Sequence, residues 1–159
     1  MVLSEVGEAI NADRNPRAPK PTNATVDEAF RLAGEKDEQH VAFAAYFREH
    51  IKRSVVEELA DIAIRLLDLA GEEGVDDIGC GETDIPFPKE YKTLPEALFN
   101  FSMSLDWLLL GVTDCNDCLR YLDIISNIAK QFTHIDFWKV VRLKMLYNKT
   151  RPRYNGKKY

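Results

Sequence analysis

The sequence lacks the features that define several large classes of protein. Its three cysteines are an odd number without the spacing of a disulfide framework. No basic segment followed by an apolar stretch opens the chain, so we expect a reducing, cytoplasmic location. The longest apolar stretch, residues 105–112, is interrupted by Asp106 and Gly111 and is far shorter than the roughly 20 residues that span a bilayer. We therefore expect no membrane role.

An excess of positive charge is also missing. The chain has 21 lysines and arginines against 26 aspartates and glutamates, which gives a formal net charge of -5. A protein that grips nucleic acid needs a basic face to displace counterions from the phosphate backbone. We therefore expect no nucleic-acid partner. An acidic protein that handles phosphates usually recruits a divalent cation to reverse the sign of its site.

Strand patterns are absent too, because no run of alternating apolar and polar residues is flanked by hairpin turns. Helical periodicity dominates, and it predicts an all-α fold, a helical bundle. Three capping pairs strengthen the prediction of helix starts: Thr25 with Glu28, Ser54 with Glu57, and Thr93 with Glu96. The predicted helices cover about residues 1–13, 25–34, 35–51, 54–70, 93–111, 114–132 and 135–148.

The predicted helix at residues 54–70 carries its polar side chains on one stripe. This stripe holds Glu57, Glu58, Asp61, Arg65 and Asp68, which recur at steps of three or four residues. One interpretation is the solvated edge of an amphipathic helix. However, crowded like charges cost free energy unless a cation lies among them.

A second pair of acids lies on the first predicted helix. Glu5 and Glu8 are three residues apart and share one face, while Leu3 and Ile10 point to the other. Gly7 between them removes a side chain, which indicates either close packing or access for a ligand. Two helices with two acids each could together hold a divalent cation.

Three short motifs resemble the MazG-like nucleotide pyrophosphohydrolases. Residues 4–9 read SEVGEA, residues 57–68 read EELADIAIRLLD, and residues 144–152 read KMLYNKTRP. They are similar to an ExxE pair, an ExxD pair and a KMxYNxxRP ending, in that order. The resemblance implies the helical bundle of the all-α NTP pyrophosphatase type and a homo-oligomer, either a dimer or a tetramer.

The resemblance also implies a function. Glu5, Glu8, Glu58 and Asp61 would be the ligands of Mg²⁺, with Mn²⁺ as an alternative metal, and they would form the catalytic centre. The substrate would be a nucleoside triphosphate, hydrolysed to a nucleoside monophosphate and pyrophosphate. Such a cation would neutralise the triphosphate and stabilise charge on the leaving group.

Further residues are candidates for substrate binding. Lys144 and Asn148 are one helical turn apart and Arg151 follows the predicted helix, so all three could reach one phosphate. The alternative is that these basic residues only complement the helix macrodipole. An acid not committed to metal, either Glu57 or Asp68, is expected to orient water or substrate.

Several alternatives stay open at the level of sequence. Glu35 and Glu38 form a rival ExxE pair, but its surroundings are polar on all sides. The chain could also be a non-catalytic helical protein that binds nucleotide or metal, or a phosphohydrolase that cleaves another bond. We expect one domain over residues 1–159, with residues 14–53 as an insertion and connecting helix and residues 149–159 as a basic tail.

Overall fold

The structure is a computed structural model that describes residues 2–34, 40–72, 90–109 and 115–151. These residues form seven helices and no strand, which confirms the predicted all-α class. The described residues do not include the rival glutamates at 35 and 38. They also exclude residues 73–89 and most of the predicted basic tail. The helices are α1 (Val2–Arg14), α2 (Asn23–Gly34), α3 (Val41–His50), α4 (Val55–Glu72), α5 (Leu94–Leu109), α6 (Cys115–Thr133) and α7 (Phe137–Thr150).

Helix α4 is the centre of the bundle because it packs against α1, α6 and α7. Its apolar side chains cover most of its circumference, and Leu59, Ile62 and Leu66 are fully buried. A helix that is apolar on nearly every side belongs in the interior of a bundle. One cluster of buried side chains includes residues from all seven helices, so α4 is held from several directions at once.

Two of the three predicted capping pairs hold in the structure. The Ser54 hydroxyl accepts a hydrogen bond from the Glu57 N–H at 3.2 Å, and the Glu57 carboxylate accepts one from the Arg53 N–H at 2.7 Å. Thr93 and Glu96 repeat this arrangement at the start of α5. Both pairs satisfy N–H groups that have no partner within the helix.

The third pair is wrong, because α2 begins two residues earlier than predicted. Thr22 and Thr25 exchange hydrogen bonds between their hydroxyls and N–H groups at 3.2 and 3.3 Å, so Thr22 caps α2. Glu28 instead forms an ion pair with Arg31 at 2.7 Å. A pair of threonines thus takes the role that the sequence pattern assigned to threonine and glutamate.

The central helix extends beyond the predicted residues 54–70, since α4 continues to Glu72. Gly7 is not explained by close packing, because a Cβ built at this position meets nothing within 4 Å. The segment between α1 and α2 is non-helical and contains a turn: Asn15 accepts hydrogen bonds from the N–H groups of Arg17 and Ala18 at 3.0 Å.

The ends of α2 and α7 are tied together by polar contacts. Asn23 accepts a hydrogen bond from the Asp136 N–H at 3.0 Å and donates one to the His134 carbonyl at 3.3 Å. Farther along the chain, Tyr147 stacks on Phe47 of α3 with ring centroids 4.5 Å apart. Helix α7 also packs against α4, where the Lys144 ammonium meets the acids of the central helix. Among the described helices, none is long and apolar enough to cross a membrane.

Candidate metal centre

Helices α1 and α4 run antiparallel and bring their acids together. Arg65, in the second half of α4, contacts Glu5 near the start of α1, whereas Val55 at the start of α4 lines a cavity with Ala12 near the end of α1. The two acidic stripes therefore face each other along the line of contact. This juxtaposition is a tertiary feature, since the two stripes are far apart in sequence.

Three of the four predicted metal ligands form a compact group. Glu5, Glu58 and Asp61 each offer a carboxylate oxygen, and these oxygens all lie within 4.8 Å of one another. Oxygens that bind one Mg²⁺ on opposite sides are about 4.2 Å apart, from a metal–oxygen distance of about 2.1 Å. Oxygens in adjacent positions are about 3.0 Å apart, so the carboxylate oxygens would have to move closer together to bind one ion. All three are oxygen donors of the kind that Mg²⁺ and Mn²⁺ prefer.

Glu8 does not belong to this compact group. Its side chain is exposed, although it is close enough for its charge to raise the pKa values of Glu5 and Glu58. It therefore lies at the rim of the cluster on the solvent side. From there it could reach a cation through water or after a rotation of its side chain.

Burial and mutual repulsion make the cluster costly to ionise. Burial raises the pKa of Glu58 to about 8, with a further contribution from the charge of Glu57, while Lys144 acts in the opposite direction. Burial and the charge of Asp61 also raise the pKa of Glu5 above its usual value, against the Arg65 guanidinium. A bound cation would strongly stabilise the ionised carboxylates, because it offsets both the cost of burying their charge and their mutual repulsion.

Lys144 is the principal cation of the cluster in the described structure. Its ammonium donates to the Glu57 carboxylate and, at 2.6 Å, to Asp61. Burial lowers the pKa of Lys144, but the charges of Glu57 and Asp61 outweigh burial and hold this pKa above its ordinary value. The lysine is therefore charged and locked against α4. An ammonium has three N–H donors, so one donor is left for another acceptor.

Glu57 belongs to this ion pair and not to the metal cluster. Its side chain is 2% exposed and is fully engaged by Lys144 and by the Arg53 N–H. Of the two acids that the sequence suggested for orienting water, Glu57 is therefore the one committed to structure. Asp68 is 62% exposed and lies 3.8 Å from Arg65, at the outer end of the acidic stripe.

The remaining predicted substrate ligands lie along the end of α7. Asn148 follows Lys144 by one helical turn, and its Oδ1 atom is buried without a hydrogen-bond partner. Arg151 is exposed and caps the C-terminus of α7. A buried acceptor without a partner is costly and commonly marks a place for a ligand or an ordered water. The Oδ1 atom of Asn148 is therefore an acceptor that a water or a ligand can satisfy.

The sequence analysis missed the role of Arg65. Its guanidinium lies 3.4 Å from Glu5 and 3.8 Å from Asp68, so it bridges the acids of both helices. Its position on the acidic stripe was visible in the sequence, and a single arginine among four acids is the signal that could have identified it. Arginine is well suited to bind phosphate oxygens with two hydrogen bonds.

No protein-family model, no curated protein and no solved structure matches this chain. The resemblance of its short motifs therefore stays a prediction, and the chemistry of the site is argued from its geometry alone. That geometry consists of three converging carboxylates, an exposed fourth acid, a buried lysine and an arginine at the edge.

Metal binding at this site should depend on pH. Because the pKa of Glu58 is raised to about 8, this carboxyl must lose a proton to bind a cation at neutral pH. We expect the affinity for Mg²⁺ to fall by up to about tenfold for each pH unit below 8, measured by titration calorimetry. The Glu58→Gln variant should show a flatter profile. Equal wild-type affinity at pH 6 and pH 8 would contradict this role of Glu58.

The same pKa predicts how the metal-free protein responds to pH. A folded pKa above the unfolded value of 4.5 means that the neutral form of Glu58 is favoured by folding. Its contribution to stability is therefore complete below pH 4.5 and is lost as the pH rises through about 8. Added Mg²⁺ should restore stability most strongly at the upper end of this range.

Proposed function

We propose that this protein is a magnesium-dependent nucleoside triphosphate pyrophosphohydrolase. The observation that carries the proposal is the convergence of Glu5 from α1 with Glu58 and Asp61 from α4 at the centre of an all-helical bundle. Water attacks the α-phosphorus, the bond between the α-phosphorus and the bridging oxygen breaks, and pyrophosphate leaves. Mn²⁺ would serve in place of Mg²⁺ because it takes the same oxygen ligands.

The three carboxylates would hold the cation. The exposed Glu8 adds negative charge on the solvent side of the cluster. When bound, Mg²⁺ neutralises phosphate charge and favours deprotonation of water. The remaining work is done by the protein itself. Lys144 holds Asp61 in one orientation through its 2.6 Å ion pair, and this fixed geometry reduces the reorganisation needed for reaction.

Arg65 and Asn148 are the residues that we assign to the substrate beside the metal. The Arg65 guanidinium lies next to Glu5 with its side chain 28% exposed, so it is accessible to a phosphate oxygen. The buried Oδ1 of Asn148 accepts a hydrogen bond from water or from a substrate hydroxyl. Arg151, exposed at the end of α7, contacts the outer phosphates.

A non-catalytic nucleotide- or metal-binding protein is the second candidate. It is favoured by one observation, namely that Lys144 supplies positive charge to Asp61. A cluster that is partly neutralised by its own lysine has less to gain from a cation. This candidate predicts binding of nucleotide and metal without turnover.

The products of the reaction distinguish these candidates. Purified protein should be incubated with ribo- and deoxyribonucleoside triphosphates and Mg²⁺, and the phosphorus-containing products resolved by ³¹P NMR. We expect monophosphate and pyrophosphate in equal amounts, and neither when the metal is chelated. A diphosphate with inorganic phosphate would indicate a different phosphohydrolase, and the absence of turnover on every substrate would favour the binding protein.

We also propose that the chain forms a homo-oligomer, a dimer or a tetramer. Phe99 and Met103 lie one helical turn apart on α5 and are 62% and 55% exposed. Large apolar side chains that share an exposed helix face are typical of contacts between subunits. The mass in solution, measured by light scattering, tests this proposal directly.

A further inference from the structure

A cavity of about 280 Å³ lies where the end of α1 meets the start of α4. It is enclosed by the end of α1, the non-helical segment that follows it, the start of α4 and the end of α6. Its walls combine apolar side chains, among them Val55, Phe132 and Pro19, with the charged groups of Asp13 and Lys20. Small-molecule sites have this character, with apolar walls and a few polar groups that set orientation.

The cavity is aligned with the cluster along both helices. Val55 precedes Glu58 by three residues on α4, and Ala12 follows Glu8 by four on α1, so each wall residue shares a face with an acid. One helical turn rises about 5.4 Å. The cavity therefore begins about one turn from Glu8 and Glu58, on the side away from Arg65.

We propose that this cavity binds the nucleobase of the triphosphate, an inference that rests on the proposed function. The sugar that joins a base to its α-phosphate spans a distance similar to the one helical turn between the cavity and the two acids. A flat apolar base is accommodated against Phe132 and the prolines, and its polar edge meets the Asp13 carboxylate and the Lys20 ammonium. A volume near the lower limit of about 300 Å³ for ligand sites selects a single nucleoside over a dinucleoside compound.

A second cavity, lined by His40, Arg48 and Lys149, does not meet these requirements. It measures about 540 Å³ and lies between α3 and the end of α7. Among the described helices, α3 packs against α2 and α7 and against neither α1 nor α4. This cavity therefore borders neither of the helices that carry the acids.

The test is a cavity-filling substitution, Ala18→Leu, compared with Ala33→Leu, a half-buried position on α2, which packs against neither α1 nor α4. Each protein is assayed with the best nucleoside triphosphate and with inorganic tripolyphosphate, which has no base. We expect Ala18→Leu to raise KM for the nucleotide about tenfold or more, the scale of one lost base contact. Hydrolysis of tripolyphosphate should be unchanged, and Ala33→Leu should match the wild type in both assays.

Phe132→Ala is a second variant, to be used if Ala18→Leu disturbs folding. Circular dichroism compares the helix content of every variant with that of the wild type. If KM for the nucleotide is unchanged in both Ala18→Leu and Phe132→Ala, the cavity does not bind the base. This outcome would not affect the proposed function. If the wild type hydrolyses neither substrate, the proposed function fails. Binding of nucleoside monophosphates, measured by calorimetry, then decides the pocket: binding that Ala18→Leu abolishes supports it, and equal or absent binding overturns it.

Discussion

The Glu58→Gln variant is expected to lose at least about 100-fold in kcat/KM for triphosphate hydrolysis. Glu58 is the most buried member of the carboxylate cluster, and its partners Glu5 and Asp61 come from two different helices. Glutamine keeps the size of the side chain but removes the negative charge that a cation requires. Loss of about 3 kcal/mol of transition-state stabilisation corresponds to a factor of this order. Initial rates at saturating Mg²⁺ provide the measurement.

The same substitution should make the metal-free protein more stable, which separates a loss of activity from a loss of folding. Burial and neighbouring acids raise the pKa of Glu58 to about 8, so its ionised form is unfavourable in the fold. A neutral glutamine removes that cost, and its thermal midpoint at pH 8 or above should exceed that of the wild type. Sites built for function commonly carry such a cost in stability.

Three control substitutions sharpen this experiment. Asp68→Asn changes an acid of the same stripe that is 62% exposed, and it should alter activity far less than Glu58→Gln. Glu8→Gln should abolish activity, whereas Glu38→Gln, which changes the rival pair outside the described residues, should not. The reverse result for Glu8 and Glu38 would assign the metal site to the other pair.

The Lys144→Met variant is expected to lower the free energy of unfolding by about 3–5 kcal/mol. Lys144 and Glu57 are 7% and 2% exposed, so removal of the ammonium leaves a buried carboxylate without its counter-ion. Asp61 loses its 2.6 Å partner at the same time. Methionine retains the length and apolar stem of the side chain, so the change reports the charge and not a cavity. Urea unfolding at pH 7 measures the effect.

A matched control exists on the same helix. Lys139 forms an ion pair with Asp27 at 2.9 Å, but the two side chains are 44% and 62% exposed. Lys139→Met should therefore lower the free energy of unfolding far less than Lys144→Met does, as is usual for surface pairs. Adding Glu57→Gln to Lys144→Met should recover much of the lost stability, because the unpaired buried charge is then absent. Equal effects of the two lysine substitutions would refute a buried ion pair.

The sequence determined the secondary structure of this protein to a large extent. Local rules gave the helix starts at Ser54 and Thr93, since capping depends only on residues three apart. The acidic stripe of α4 likewise follows from helical periodicity. Where local rules compete, they fail, as when the hydroxyls of Thr22 and Thr25 cap α2 in preference to the predicted pair. Several residues can satisfy the same orphan N–H groups, and the sequence does not rank them.

Only the tertiary structure decided what each acid does. Glu57 and Glu58 are adjacent in sequence, but successive residues of a helix point about 100° apart, so they face different neighbours. Glu57 meets Lys144 of α7, whereas Glu58 meets Glu5 of α1. Which helix lies on which side of α4 depends on the packing of the whole core. The spacing of the acids therefore predicted a cluster, and the arrangement of α1 and α7 around α4 separated the candidate metal ligands from the buried ion pair.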